Sequence, residues 1–290
     1  MKVAVFGASG TIGTALVSRL AGEHDVTAVS RRHRPGEGRI RWVVADVGNP
    51  TAVREALEGI EVVYYLVHSL GSADFADRDR RGASILARAA ESAGVHQIIY
   101  LGGLAGGDVE LSEHLRSRRE TETALRSGAV PVTAIGAAVV VGRGSAAFET
   151  IVALVDRLPA MICPRWVSTP TQPIALDDVV TYLVSVCGLD AAIGQTLQAG
   201  GPEVLTYRKM IEVIARIRGR HPRIIEVPVL TPRLSSYWLQ LVTPVNAATA
   251  RPLIDGLRIP TVVTDTRLQE LVPLELIPFA EAARKALAGR

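Results

Sequence analysis

Seven residues near the N-terminus, Gly7-Ala8-Ser9-Gly10-Thr11-Ile12-Gly13, have the composition of an anion-binding turn. Glycine backbone turns tightly and lets peptide N–H groups approach a diphosphate closely, and a helix starting there adds the positive end of its dipole. Such a diphosphate would rest on Gly7, Ser9, Gly10, Thr11, Ile12 and Gly13. A glycine cluster alone is an ordinary surface turn. This one has a setting: Lys2-Val3-Ala4-Val5-Phe6 before it predicts a buried strand, and residues 11–21 after it predict a helix. A second cluster, Ser30-Arg31-Arg32-His33-Arg34, falls at the end of the next strand. An acid there would accept bonds from a ribose 2′-hydroxyl and select NAD, whereas guanidinium groups grip a 2′-phosphate. Ser30, Arg31 and Arg32 therefore point to NADPH/NADP, although part of this stretch also reads as a solvated basic loop.

Titratable candidates lie further along. His68 follows Leu66-Val67 at the end of the fourth strand, the rim where ligands meet open α/β sheets. Two readings stand for it, a reactive group or a structural hydrogen-bonder. His114 precedes Arg118 by four residues, so the two share a helix face. A guanidinium there lowers the imidazole pKa, which makes His114 a better orienter than acid near pH 7. The plainer reading is an exposed histidine at a helix start. The six histidines are dispersed, with neither HxH nor HExxH spacing, so no metal site is expected. Cys163 and Cys187 read as small core residues of a reducing compartment.

The elements that must position these groups follow a regular pattern. Strands are expected at 2–6, 25–30, 40–45, 61–67, 96–101 and 130–136, with helices at 11–21, 50–58, 73–93 and 113–127. Apolar strands alternating with amphipathic helices predict an α/β fold, a Rossmann-type doubly wound parallel sheet with a smaller C-terminal lobe. Residues 1–144 would form the dinucleotide-binding domain, 171–199 would return to it, and 145–170 with 200–290 would form the substrate lobe. Phe148, Met161, Trp166, Tyr237 and Trp238 fall where that lobe would build an apolar pocket for a bulky hydrophobic small molecule. Taken singly, each reads more readily as core than as a ligand contact. With 48% hydrophobic and 21% charged residues the 290-residue chain is globular. A net charge of +3 without a basic stripe argues against nucleic acid. No leader and no spanning segment are expected, which suggests a cytoplasmic protein, monomer or homodimer, without a membrane partner.

The GxxGxxG spacing of Gly7, Gly10 and Gly13 resembles that of the extended and atypical short-chain dehydrogenase/reductases, closest to their NmrA-like branch. Ala45-Asp46-Val47 and Val139-Val140-Val141-Gly142-Arg143-Gly144 support the same likeness over residues 1–185. The resemblance implies that Asp46 and Val47 contact adenine, and that Leu66, Val67, Leu101, Gly102, Ala138 and Val139 line the remainder of the dinucleotide. Family members reduce carbonyls with a Ser, a Tyr and a Lys. Here those positions fall on Gly103, His114 and Arg118, so the standard set is missing. Arg118 would then hold the nicotinamide ribose as the family lysine does, and the last proton would come from His114, water or a hydroxyl of the substrate.

Three functions follow from the likeness. The first is an NADPH-dependent ketoreductase, resembling actinomycete enzymes of aromatic polyketide (angucyclinone, simocyclinone-type) antibiotic biosynthesis. The second is a non-catalytic NADP-binding sensor or assembly subunit of the NmrA-like kind, which the lost Tyr and Lys favour. An epimerase or dehydratase is the third, and it too would need the missing tyrosine.

Overall fold

The computed structural model describes residues 1–69, 74–104, 111–227 and 257–288. Its centre is a seven-stranded parallel sheet in the order β11-β6-β5-β4-β1-β2-β3. The strands are β1 (Lys2–Phe6), β2 (Asp25–Ser30), β3 (Ile40–Val44), β4 (Val62–Tyr65), β5 (Gln97–Gly103), β6 (Val132–Ala137) and β11 (Thr196–Ala199). This is the doubly wound order, with its reversal between β1 and β4. Helices cover both faces, which is why the central strands are apolar throughout rather than alternating. On one face α1 (Thr11–Leu20) packs against α6 (Leu176–Ser185). On the other lie α2 (Pro50–Ala56), α3 (Phe75–Ser92) and α4 (Glu113–Leu125).

Local sequence sets the ends of these helices. Asn49 caps α2 by accepting from the N–H groups of Thr51 and Ala52, and Pro50 occupies the first turn, where its missing N–H costs nothing. α3 buries Phe75, Gly82, Ala83, Leu86 and Ala90 along one stripe, and it stops where Gly94 turns left-handed at φ 69°.

A second core gathers α5 (Ala146–Arg157), β8 (Ala160–Pro164), α7 (Tyr207–Ile217) and α9 (Phe279–Ala288). Short ladders surround it: β7 (Val140–Val141) pairs with β10 (Ile174–Ala175), β9 (Pro170–Thr171) with β12 (Leu205–Thr206), and, within the second core, β8 with β13 (Arg223–Val227). The expectation placed all of 200–290 in this lobe. Leu268 of α8 (Arg267–Leu271) and Val272 instead pack into the core formed with α1 and α6. Among the described residues no helix is long and apolar enough to cross a membrane.

Candidate functional site

Where the strand order reverses, a cleft of about 840 Å³ opens beyond the C-terminal ends of β1 and β4. Gly7, Ser9 and Gly10 form one wall, and Leu66, Val67 and His68 face them from the end of β4. The turn is as tight as glycine allows. Gly7 has φ 86°, and a Cβ there would sit 2.9 Å from the Leu66 carbonyl carbon and oxygen. A Cβ on Gly13 would come within 2.2 Å of the Gly7 carbonyl oxygen, so only glycine lets α1 start this close to the strand. Gly10 caps α1 with extended backbone and no side-chain bond, which leaves first-turn N–H groups available to an anion. Thr11 and Ile12 are not part of the cleft wall. The Thr11 hydroxyl donates to the Gly144 carbonyl at 2.8 Å, and Ile12 packs against the core.

Ser30 and Arg31 line the cleft at the tip of β2. The Ser30 hydroxyl donates to the Arg32 carbonyl (2.5 Å) and folds that tip, while Arg32 itself is exposed and lies outside the cleft wall. Asp46 and Val47 form the floor, with the Asp46 carboxylate accepting the Gly48 N–H at 2.8 Å. Two further guanidinium groups, Arg78 and Arg81, reach the same cleft from α3. Sequence reasoning missed both, because exposed arginines on a charged helix face carry no distinguishing signal. Gly82 lets α3 come this near: a Cβ would meet Val47 Cγ2 at 2.8 Å and the Tyr65 hydroxyl at 3.0 Å.

Behind the His68 wall is a polar interior. Asp79, 1% exposed, takes the Nδ1 side of His68 at 3.2 Å and the Ser69 N–H at 3.4 Å. The His68 ring lies 5.1 Å from that of His114, tilted by 40°. The Tyr100 hydroxyl donates to the Arg118 carbonyl at 3.1 Å, and the Arg118 guanidinium stands 5.9 Å over the Tyr100 ring. Among the described residues, every buried side-chain polar atom without a partner belongs to this region: Tyr65 Oη, His68 Nε2, Asp79 Oδ1, His114 Nδ1, Ser117 Oγ and Arg118 Nε.

Charge follows burial here. Burial first and Arg118 second lower His68 to about 4, although Asp79 pulls the other way. The same two causes, in the same order, lower His114 to about 3. Both rings are therefore neutral at pH 7, as expected for His114, with burial a larger cause than the guanidinium. Burial pushes the Asp79 carboxyl up, but hydrogen bonds from His68 and Ser69 outweigh it and hold the group below its ordinary value. Burial and Asp79 keep the Tyr65 phenol protonated. Asp79, Tyr65 and Tyr100 were absent from the sequence reading. Asp79 did carry a signal, since it falls on the α3 stripe of Phe75, Ala83, Leu86 and Ala90, where a charge is out of place.

The remaining candidates divide. His114 is not an exposed helix-start residue: its ring is half-buried against His68. Gly102, Gly103 and Arg118 come together, but around a separate pocket of about 290 Å³ shared with Glu122 and Arg126. A Cβ on Gly103 would lie 2.8 Å from Leu115 Cδ2, so the tight seating of α4 suits glycine there. Leu101 is buried in the core under α1, and neither Ala138 nor Val139 is part of the cleft wall. Phe148 and Met161, expected to line a substrate pocket, are 0% exposed and belong to the packing of the second core. Trp166 is half-buried, edge-on to Tyr207 at 6.1 Å. Tyr237 and Trp238 lie outside the described residues.

Residues 7–140 match the family described as NAD(P)H-binding, a span covering the anion turn, the cleft and the polar interior. This segment is thus similar to NAD(P)H-binding domains. Over 65 residues the chain is 40% identical to L-arabinose 1-dehydrogenase (NAD(P)(+)) of Haloferax volcanii, covering 22% of this chain and 24% of that protein. Over 239 residues it is 23% identical to the mitochondrial NADH dehydrogenase [ubiquinone] 1 alpha subcomplex subunit 9 of Arabidopsis thaliana, covering 77% of this chain and 60% of that one. The matched region thus spans about a quarter of the first of these relatives and under two thirds of the second.

Among solved structures, a nucleoside-diphosphate-sugar epimerase of Staphylococcus aureus superposes with a TM-score of 0.79 at 16% identity, covering 98% of this chain and 100% of that one. The triphenylmethane reductase of Citrobacter sp., complexed with NADP(H), gives 0.75 at 17% identity, covering 99% and 100%. The sheet and the lobe attached to it therefore share the fold of this epimerase and this reductase.

Proposed function

We propose that the protein is a cytoplasmic NADP(H)-dependent oxidoreductase that reduces a ketone of a bulky apolar molecule, or oxidises the corresponding alcohol. The observation that carries this reading is the cleft itself. One continuous wall runs from the α1 turn and Arg31 to His68, an imidazole backed by buried polar groups. The cradle fits the cofactor, because the Cβ atoms that Gly7 and Gly13 lack would fill the space between turn and neighbouring backbone. Arg31 at the β2 tip, with Arg78 and Arg81 opposite, gives a 2′-phosphate three cationic partners. When bound, the cofactor supplies or accepts the hydride. The chain's own residues do the rest: the turn holds the diphosphate, and His114, with His68 beside it, presents a neutral imidazole to the reacting oxygen.

The bulky substrate is supported by the shared fold of the triphenylmethane reductase, whose name specifies a large aromatic substrate. An aromatic polyketide ketone is the narrower expectation from resemblance. Gly103 and the loss of the Tyr and Lys favour a second reading, an NADP-binding sensor or assembly subunit. The respiratory-complex relative points the same way.

Fluorescence titration of the full chain with NADPH and NADH separates these readings when followed by NADPH consumption against a panel of aromatic ketones. At least tenfold tighter binding of NADPH, with turnover of one ketone, is expected. Binding without turnover on any bulky ketone would favour the sensor, and no binding of either dinucleotide would sink both.

A further inference from the structure

The unpartnered polar interior is the least expected feature of the molecule, since buried polar groups are ordinarily paired. Its parts have an order. A carboxylate only accepts, so Asp79 Oδ2 fixes the hydrogen of His68 on Nδ1 and leaves Nε2 as a lone pair. That lone pair is buried, and so is Nδ1 of the neighbouring His114. With ring centres 5.1 Å apart, a small ring rotation brings a nitrogen of one imidazole into hydrogen-bond distance of the other.

We propose that Asp79, His68 and His114 form a proton relay in which His114 exchanges the proton with the reacting oxygen and Asp79 and His68 act behind it as positioning residues. The proposal rests on the reading of the cleft as a hydride-transfer site. In the oxidising direction, the O–H bond of the substrate alcohol breaks and its proton bonds to His114 Nε2. The hydrogen on His114 Nδ1 passes to His68 Nε2. The hydrogen on the carbinol carbon leaves with its electron pair to the oxidised cofactor, so the alcohol loses two electrons and becomes the ketone. Ketone reduction runs the same transfers backwards.

The geometry explains why the proton should settle on His68 rather than on His114. Asp79 from α3 faces His68 and stabilises an imidazolium there. Arg118 from α4 opposes positive charge on both rings, and His68 adds to that opposition at His114. Tyr65 from β4 and Tyr100 from β5 stay protonated and complete the surroundings. A relay lets a site next to a fixed guanidinium still take up a proton, by moving the charge one ring away.

Imidazole ¹⁵N–¹H spectra of the full chain, with and without NADPH, test this without any substrate. In the native protein His68 should carry its hydrogen on Nδ1, and His114 should show a strongly deshielded N–H. Asp79→Asn keeps the shape but can reverse the tautomer of the histidine it faces. Both His68 and His114 should change tautomer in that variant, with NADPH affinity unchanged. A change confined to His68 would overturn the relay. Should Asp79→Asn fail to fold, His68→Gln decides, because the deshielded His114 N–H must vanish in it; a persisting signal would again overturn the proposal. Failure of NADPH to bind would remove the proposed function and leave this tautomer result standing, whereas an unresponsive His114 would remove the relay alone.

Discussion

Two regions of the molecule bury polar groups, and they treat them differently. At the N-terminal edge of the sheet, Gln97 is 1% exposed, yet its amide is fully used. Its Nε2 donates to Thr133 Oγ1 at 2.9 Å and to the Val186 carbonyl at 3.0 Å, while its Oε1 accepts the Gly188 N–H at 2.8 Å. At the C-terminal edge, Tyr65, His68, Asp79, His114, Ser117 and Arg118 each keep a buried atom without a partner. The first arrangement is what stability alone produces. The second holds desolvated polar atoms in reserve beside a cleft, which costs stability and makes sense where chemistry needs them. The contrast points to the same rim of the sheet as the strand-order reversal does, by an independent route.

Acid should break the comparison most severely. His68 and His114 fall from the ordinary 6.5 to about 4 and about 3, so below pH 6.5 the unfolded chain binds protons that the folded chain refuses. Stability is then complete above 6.5 and is lost as pH drops towards 4 and 3, on the order of 3 kcal/mol for His68 and 5 kcal/mol for His114. Asp79, whose folded value is also depressed, adds to the loss at the acid end of that window. Urea midpoints measured across this range should show the slope, and the double variant His68→Gln/His114→Gln should flatten it.

At the satisfied edge, Gln97→Leu strands the Val186 carbonyl and the Gly188 N–H. A loss of about 2–3 kcal/mol in chemical unfolding is expected, with no effect on NADPH affinity. Equal damage to cofactor binding would mean that the two edges are not separate in function.

Arg31→Ala probes the open end of the cleft. Removing one charge-assisted contact to a 2′-phosphate should weaken NADPH about tenfold and leave NADH unchanged. Parallel titrations check this, and equal losses for both dinucleotides would place the guanidinium elsewhere.

The smallest effects should come from Tyr65→Phe and Ser117→Ala. Both delete hydroxyls that bond to nothing among the described residues, so melting should report a change within about 0.5 kcal/mol, or a slight gain. A loss beyond about 1 kcal/mol would reveal a hidden partner.

The backbone-driven parts of the site were legible in the sequence. Gly7 and Gly13 are chosen by sterics, and the Ser30-Arg31 tip follows directly from the strand that carries it. The alternation of apolar strands and amphipathic helices likewise led to the sheet without ambiguity. What stayed hidden depends on tertiary contacts between α3 and α4. Asp79 sits within Asp77-Arg78-Asp79-Arg80-Arg81, which reads as a solvated face until its phase with Phe75 and Leu86 is followed. Phe148 and Met161 were misplaced for the opposite reason. A bulky apolar residue serves a core and a pocket equally well, and only burial tells them apart.

Gly82 ties the two ends of the site together mechanically. A single Cβ there would meet both the Val47 side chain and the Tyr65 hydroxyl, so the lack of one lets the helix sit against the two. The floor beneath the nucleotide and the strand beneath the histidines thus bear on one rigid point. A shift of α3 at this position would therefore press on Val47 and Tyr65 together, and so be felt at both ends of the site.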